Sequence, residues 1–144
     1  MLDNGPIPRP PDAGSIMVDL SALPAIRRAV EQWSHLCDLS ESRTRDAVLA
    51  ANELATNVIR HGGGTGQLWL WRRGETLCCQ VADNGPGMAD TGQLDNPLPN
   101  PTVSAGRGLW LVRRLCEEVH VVTGATGTVI TFGLNGAIVA GSAA

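Results

Sequence analysis

A chain of 144 residues, 43% hydrophobic and 17% charged, has the length and composition of one globular domain able to bury its own core. Its formal net charge of −3 provides no field for nucleic acid or an anionic membrane, and no apolar run reaches the ~20 residues of a membrane helix. All eleven basic residues are Arg, so neither a P-loop lysine nor a lysine Schiff base is available.

Residues 1–14 open the chain with four Pro and no hydrophobic periodicity, which predicts a disordered tail. Ile16, Val18 and Leu20 alternate as in a strand. Ser21 is placed to cap a helix with Pro24 in its first turn, running to about Cys37 with Ile26, Val30 and Trp33 on one face. Ser40 is placed to cap a second helix that continues to His61 and stops at Gly62-Gly63-Gly64. Gln67–Arg73 sets Leu68 and Leu70 against Trp69 and Trp71, and a turn at Gly74 returns the chain as Thr76–Ala82, a predicted hairpin. The tryptophans read as packing residues, with the sheet face opposite the helices left to solvent or a partner.

From Asp83 to Ala105 Gly, Pro, Asn and Asp dominate, which predicts a functional loop or lid. Gly106–Glu118 reads as a helix, and Val119–Thr123 with Thr128–Phe132 as a second hairpin. The domain is expected over residues 15–133, followed by a tail at 134–144. The fold class is α+β: a two-layer sandwich whose mixed or antiparallel sheet carries helices on one face. Cys37, Cys78, Cys79 and Cys116 match no zinc spacing and read as reduced, partly buried thiols of a cytoplasmic protein.

Three segments carry candidate chemistry. Glu53, Asn57 and His61 recur every four residues and so line one stripe of the second helix, beside the apolar stripe of Ala47, Ala51, Leu54 and Val58. A solvated polar face gives the same pattern. Asp83 ends a strand at Asn84-Gly85-Pro86-Gly87, where a carboxylate can accept from an exocyclic amine and glycines admit a ligand. A tight turn uses the same residues. Gly106-Arg107-Gly108 opens a helix, whose free N–H groups form an anion site; a glycine-rich loop entering a helix is the plain alternative.

In this order, with a lid between the second and third, the segments resemble the GHKL nucleotide-binding domains of sensor histidine kinases, gyrase B, Hsp90 and MutL, which share the Bergerat-type sandwich. Glu53-x-x-x-Asn57 is similar to their N box, Asp83-x-Gly85-x-Gly87 to their G1 box, and Gly106-x-Gly108-Leu109-x-Leu111-Val112 to their G2 box. Gly127-Thr128 is similar to the Gly-Thr before their last strand. Within that group the Glu53–His61 segment resembles stand-alone bacterial anti-sigma factor serine/threonine kinases of the SpoIIAB and RsbW type.

The resemblance implies ATP and Mg²⁺ as cofactors. Asn57 would give its side-chain oxygen to Mg²⁺, and Glu53 would be the general base. Asp83 would bind the adenine amino group in a pocket shaped by Gly85 and Gly87. Gly106, Arg107, Gly108 and Leu109 would wrap the phosphates, and Thr128 would support adenine. Arg60 and His61 would lie near the phosphate end, with a structural capping role the equal alternative for His61. The implied partners are a STAS-domain anti-anti-sigma protein, a sigma factor and a second copy of the chain, with no nucleic acid or membrane. The kinases it resembles often carry Arg before their G2 glycines. Here Ser104-Ala105 precede Gly106 and Arg107 lies between the glycines, which bears on γ-phosphate contact rather than on nucleotide binding. Two alternatives are an ATP-binding interaction module with little catalysis and, ranked last, a histidine-kinase catalytic domain.

Overall fold

Among the described residues, five strands form a single sheet under one layer of three α-helices. The computed structural model describes residues 7–85 and 104–136. Its elements are β1 (Gly14–Val18), α1 (Leu23–Leu36), α2 (Glu41–His61), β2 (Gly66–Arg73), β3 (Thr76–Asp83), α3 (Ser104–Leu115), β4 (Glu118–Gly124) and β5 (Gly127–Asn135).

The helix boundaries follow from local hydrogen bonding. Ser40 caps α2 as expected, its hydroxyl accepting from the Arg43 N–H at 3.1 Å. At the other end the Gly62 N–H closes on the Val58 carbonyl at 2.9 Å, and Gly63 continues with φ +89°. The cap before α1 differs from the expected one. Asp19, not Ser21, accepts from the Ala22 N–H at 2.9 Å, closing a 3-10 turn over Leu20–Ala22, while Ser21 donates its hydroxyl to Asp19 at 2.7 Å. A carboxylate two residues upstream outcompetes the hydroxyl for the free N–H.

The strands run in the order β1-β2-β3-β5-β4, and all four pairings are antiparallel. Between the open alternatives of a mixed or an antiparallel sheet, the hairpins decide: each joins neighbours in the sheet, and β5 adds to β3 with Asp83 opposite Thr128. The inner face presents Leu68, Leu70, Leu77, Cys79, Val81, Ile130, Phe132 and Leu134 to Ile26, Val30, Ala47, Ala51, Leu54, Val58, Leu109 and Val112 of the helices. Each such side chain, fully buried, contributes about 1.5–3 kcal/mol. α2 is the central helix, packed between α1 and α3.

The outer face is partly covered by the chain's own beginning. Ile7 is 3% exposed and packs with Trp71, Cys78, Trp69 and Ala13. The Arg9 guanidinium lies 3.8 Å from the centre of the Trp69 ring and donates to Gln80 Oε1 at 2.6 Å. Gln80 in turn donates to the Thr131 hydroxyl at 3.0 Å. Within the stretch expected as a tail, Ile7 and Arg9 thus meet a tryptophan-rich strand. Residues 1–6 and 137–144 lie outside the described residues. Leu134 and Asn135, assigned from sequence to the second tail, extend β5.

Candidate functional site

The polar stripe of α2 and the start of α3 meet. Glu53 and Asn57 are both half-buried. A methyl group in place of the Gly108 hydrogen would stand 2.9 Å from Glu53 Oε1, 3.5 Å from Asn57 Oδ1 and 3.6 Å from Asn57 Nδ2. Gly108 is thus the residue that lets α3 approach α2 at these two side chains. Leu109 and Val112 are both fully buried and anchor α3 from behind. The first-turn N–H groups of α3 have no intrahelical acceptors, which makes its start suited to an anion.

A second cluster forms where α2 ends. A side chain at Gly62 would place its first carbon 2.5 Å from Asp83 Oδ2, and one at Gly85 would lie 2.7 Å from the Gly62 Cα. Asp83 Oδ1 accepts from the Gly85 N–H at 2.9 Å, leaving the other carboxylate oxygen against Gly62. Gly127, at φ +148°, packs on the Asp83 carbonyl, and the 5%-exposed Thr128 pairs across the ladder with Asp83. The Thr128 hydroxyl is 2.8 Å from that of Thr123. β3, β5 and the end of α2 therefore enclose one carboxylate among glycines. Gly62 is a member of this cluster that sequence reading assigned only to helix termination; the run of three glycines was the available signal.

The predicted site residues fall into these two groups: Glu53, Asn57, Gly108 and Leu109 in one, Asp83, Gly85 and Thr128 in the other. Gly106 and Arg107 lie in the first turn of α3, of which only the backbone is described, and Gly87 lies outside the described residues. Arg60 and His61 are exposed and directly precede Gly62 in the last turn of α2.

All four cysteines are buried, and burial pushes the Cys78 thiol up to about 11 and raises those of Cys37, Cys79 and Cys116. Among the described residues no group of three or more His, Cys, Asp or Glu is placed to hold a metal, and no helix is long and apolar enough to cross a membrane.

An antiparallel sheet under three helices, with a polar helix stripe facing a glycine-opened helix start, defines the GHKL class of α/β sandwich. The chain belongs to the histidine kinase-like ATPase domain family, which matches residues 16–134. Its fold is similar to the RsbU and RsbW domains of Rv1364c from Mycobacterium tuberculosis, at 21% identity and a TM-score of 0.63 over 88% of this chain and 33% of that one. It is also similar to the histidine kinase domain of the Erythrobacter litoralis EL346 blue-light activated histidine kinase, at 22% identity and a TM-score of 0.54 over 81% of this chain and 60% of that one. A third likeness is to the Acinetobacter baumannii histidine kinase AdeS, at 14% identity and a TM-score of 0.54 over 87% and 68%. The chain spans about a third of the length of the Mycobacterium tuberculosis structure. No curated protein matches the sequence.

Proposed function

We propose that the chain binds Mg·ATP between α2, α3 and the β3–β5 end of the sheet, and that it is a serine/threonine kinase acting on a STAS-domain anti-anti-sigma protein within a sigma-factor switch. The observation that carries this reading is the convergence of Glu53 and Asn57 on Gly108 at the start of α3. A carboxylate and an amide oxygen there are the pair that phosphoryl transfer needs, one for a proton and one for a metal. Membership of the ATPase family and the fold likeness to an RsbW-containing structure support it.

The residues present fit the nucleotide. Mg²⁺ keeps phosphate and water oxygens around few protein ligands, so the single Asn57 amide oxygen suits it better than a carboxylate cage. Bound Mg·ATP supplies the transferable phosphoryl group and neutralises charge on it. Asp83, with one oxygen already satisfied by the Gly85 N–H, would accept from the adenine amino group, with Gly85, Gly87 and Thr128 around the ring. Gly106, Arg107 and Gly108 would hold the phosphates through backbone N–H groups and the Arg107 guanidinium, the only source of side-chain cation in that motif. Glu53 would take the proton from the substrate hydroxyl as its oxygen bonds to phosphorus and ADP leaves.

The test is incubation with Mg·[γ-³²P]ATP and STAS-domain proteins. Label is expected on a partner serine or threonine, and Glu53→Ala should slow transfer roughly 10²–10⁴-fold while retaining ATP binding. Tight ATP binding with no transfer to any partner would reduce the chain to a nucleotide-dependent interaction module. Undiminished transfer by Glu53→Ala would remove Glu53 as the base.

A further inference from the structure

We propose that Arg43 is a positioning residue for the phosphate end of the site, acting through α3. It rests on the Mg·ATP reading above. α2 and α3 run antiparallel: Gly108 meets Glu53 and Asn57, and the far end of α3 meets the first turn of α2 at Arg43. There the Arg43 side chain is only 15% exposed and makes four contacts. Nη1 donates to the Leu115 carbonyl at 3.0 Å and to Asp46 Oδ2 at 3.1 Å. Nη2 donates to both oxygens of Glu117, at 2.7 and 2.9 Å. Glu117 Oε1 also accepts from the Asn135 N–H at 2.8 Å. One guanidinium thus ties α2 to the end of α3, the turn into β4 and the end of β5.

The chemistry favours a positional role. The Leu115 carbonyl is one of the last four of α3, which lack intrahelical donors, and a cation there also opposes the helix dipole. A planar fork fixes direction as well as distance, which a lysine ammonium does not. Leu109 and Val112 add apolar contact between α3 and the core, and apolar packing is non-directional. Seven residues, roughly 10 Å of helix, separate Leu115 from Gly108. A helix of twelve residues moves as one body, so freeing its far end lets Gly108 and the preceding turn tilt away from Glu53 and Asn57. Among the described residues the cluster around Asp83 contains none from α3, so the adenine end should not move with it.

That asymmetry gives the test. ATP and adenosine affinities are compared by NMR titration for the unmodified chain, Arg43→Ala, Arg43→Lys and Glu117→Gln, with thermal melts alongside. Arg43→Ala should weaken ATP binding about tenfold to a hundredfold and leave adenosine binding within twofold. Arg43→Lys should recover part of the loss, since it keeps the charge but not the fork. If Arg43→Ala does not fold, Glu117→Gln, at a half-exposed carboxylate, should show a smaller loss confined to ATP. Equal weakening of ATP and adenosine, or unaltered ATP binding in a folded variant, overturns the proposal. An unmodified chain that binds neither ligand removes the nucleotide site itself, an outcome distinct from a normal site indifferent to Arg43.

Discussion

Replacing Gly108 by Ala separates the stability of α3 from its role at the site. The added methyl would stand 2.9 Å from Glu53 Oε1, about half an ångström inside an ordinary carbon–oxygen contact, and 3.5 Å from Asn57 Oδ1. Relief comes either from rotating the Glu53 carboxylate, a flexible chain end, or from moving α3 outward. Overpacking of this kind costs about 1–3 kcal/mol, while Gly→Ala within a helix returns about 1 kcal/mol. Net stability should therefore fall by no more than about 2 kcal/mol, read as the midpoint of urea unfolding. Either route of relief displaces Glu53 or the α3 start from Asn57. Phosphoryl transfer should drop at least tenfold, about 1.4 kcal/mol or more of lost transition-state stabilisation. Unfolding melts and a coupled ADP-release assay on the same preparations read both quantities. A Gly108→Ala chain with full ATP affinity and full transfer would refute the claim that this close approach builds the site.

The packed segment at the chain start should contribute stability without touching the site. Ile7→Ala removes a 3%-exposed side chain from the Trp71–Cys78 cluster and should cost about 2 kcal/mol, lowering Tm by roughly 6 °C, with ATP affinity unchanged by calorimetry. The buried thiols set the alkaline limit. Cys78 has its pKa raised by burial from 9.0 to about 11, so the unfolded chain loses this proton first and stability should fall as pH rises from 9 towards 11. Cys78→Ala should flatten that part of the curve in pH-dependent melts, and a slope unchanged by the substitution would exclude Cys78 as its source.

How much of this was legible in the sequence depends on whether a feature is periodic or singular. The Glu53–Asn57 spacing, the Ser40 cap and the Leu/Trp alternation of β2 are repeats or local patterns, and each is found where its period places it. The contact of Gly108 with Glu53 follows from neither segment alone, since it depends on how two helices cross. Arg43 is invisible for the same reason: the partners that tie it to α3 and the turn beyond, Leu115 and Glu117, lie more than seventy positions away. The helix read as Gly106–Glu118 instead spans Ser104–Leu115, because Arg43 takes the Leu115 carbonyl and Glu117 turns to the Asn135 N–H. Ile7 and Arg9 sit in a Pro-rich stretch with no period to read, and only the tryptophans opposite them explain their order.

The central claim is a purine nucleotide site that distinguishes its base at Asp83 and its metal-bound phosphates at Asn57. Calorimetric titration of Mg·ATP and Mg·GTP into the unmodified chain and Asn57→Ala tests it most directly. The account predicts one saturable ATP site, GTP weaker by at least about tenfold because its C6 carbonyl stands where adenine offers an amino group to Asp83, and a loss of magnesium dependence in Asn57→Ala. Equal binding of the two nucleotides, or Mg·ATP affinity untouched by Asn57→Ala, would contradict it.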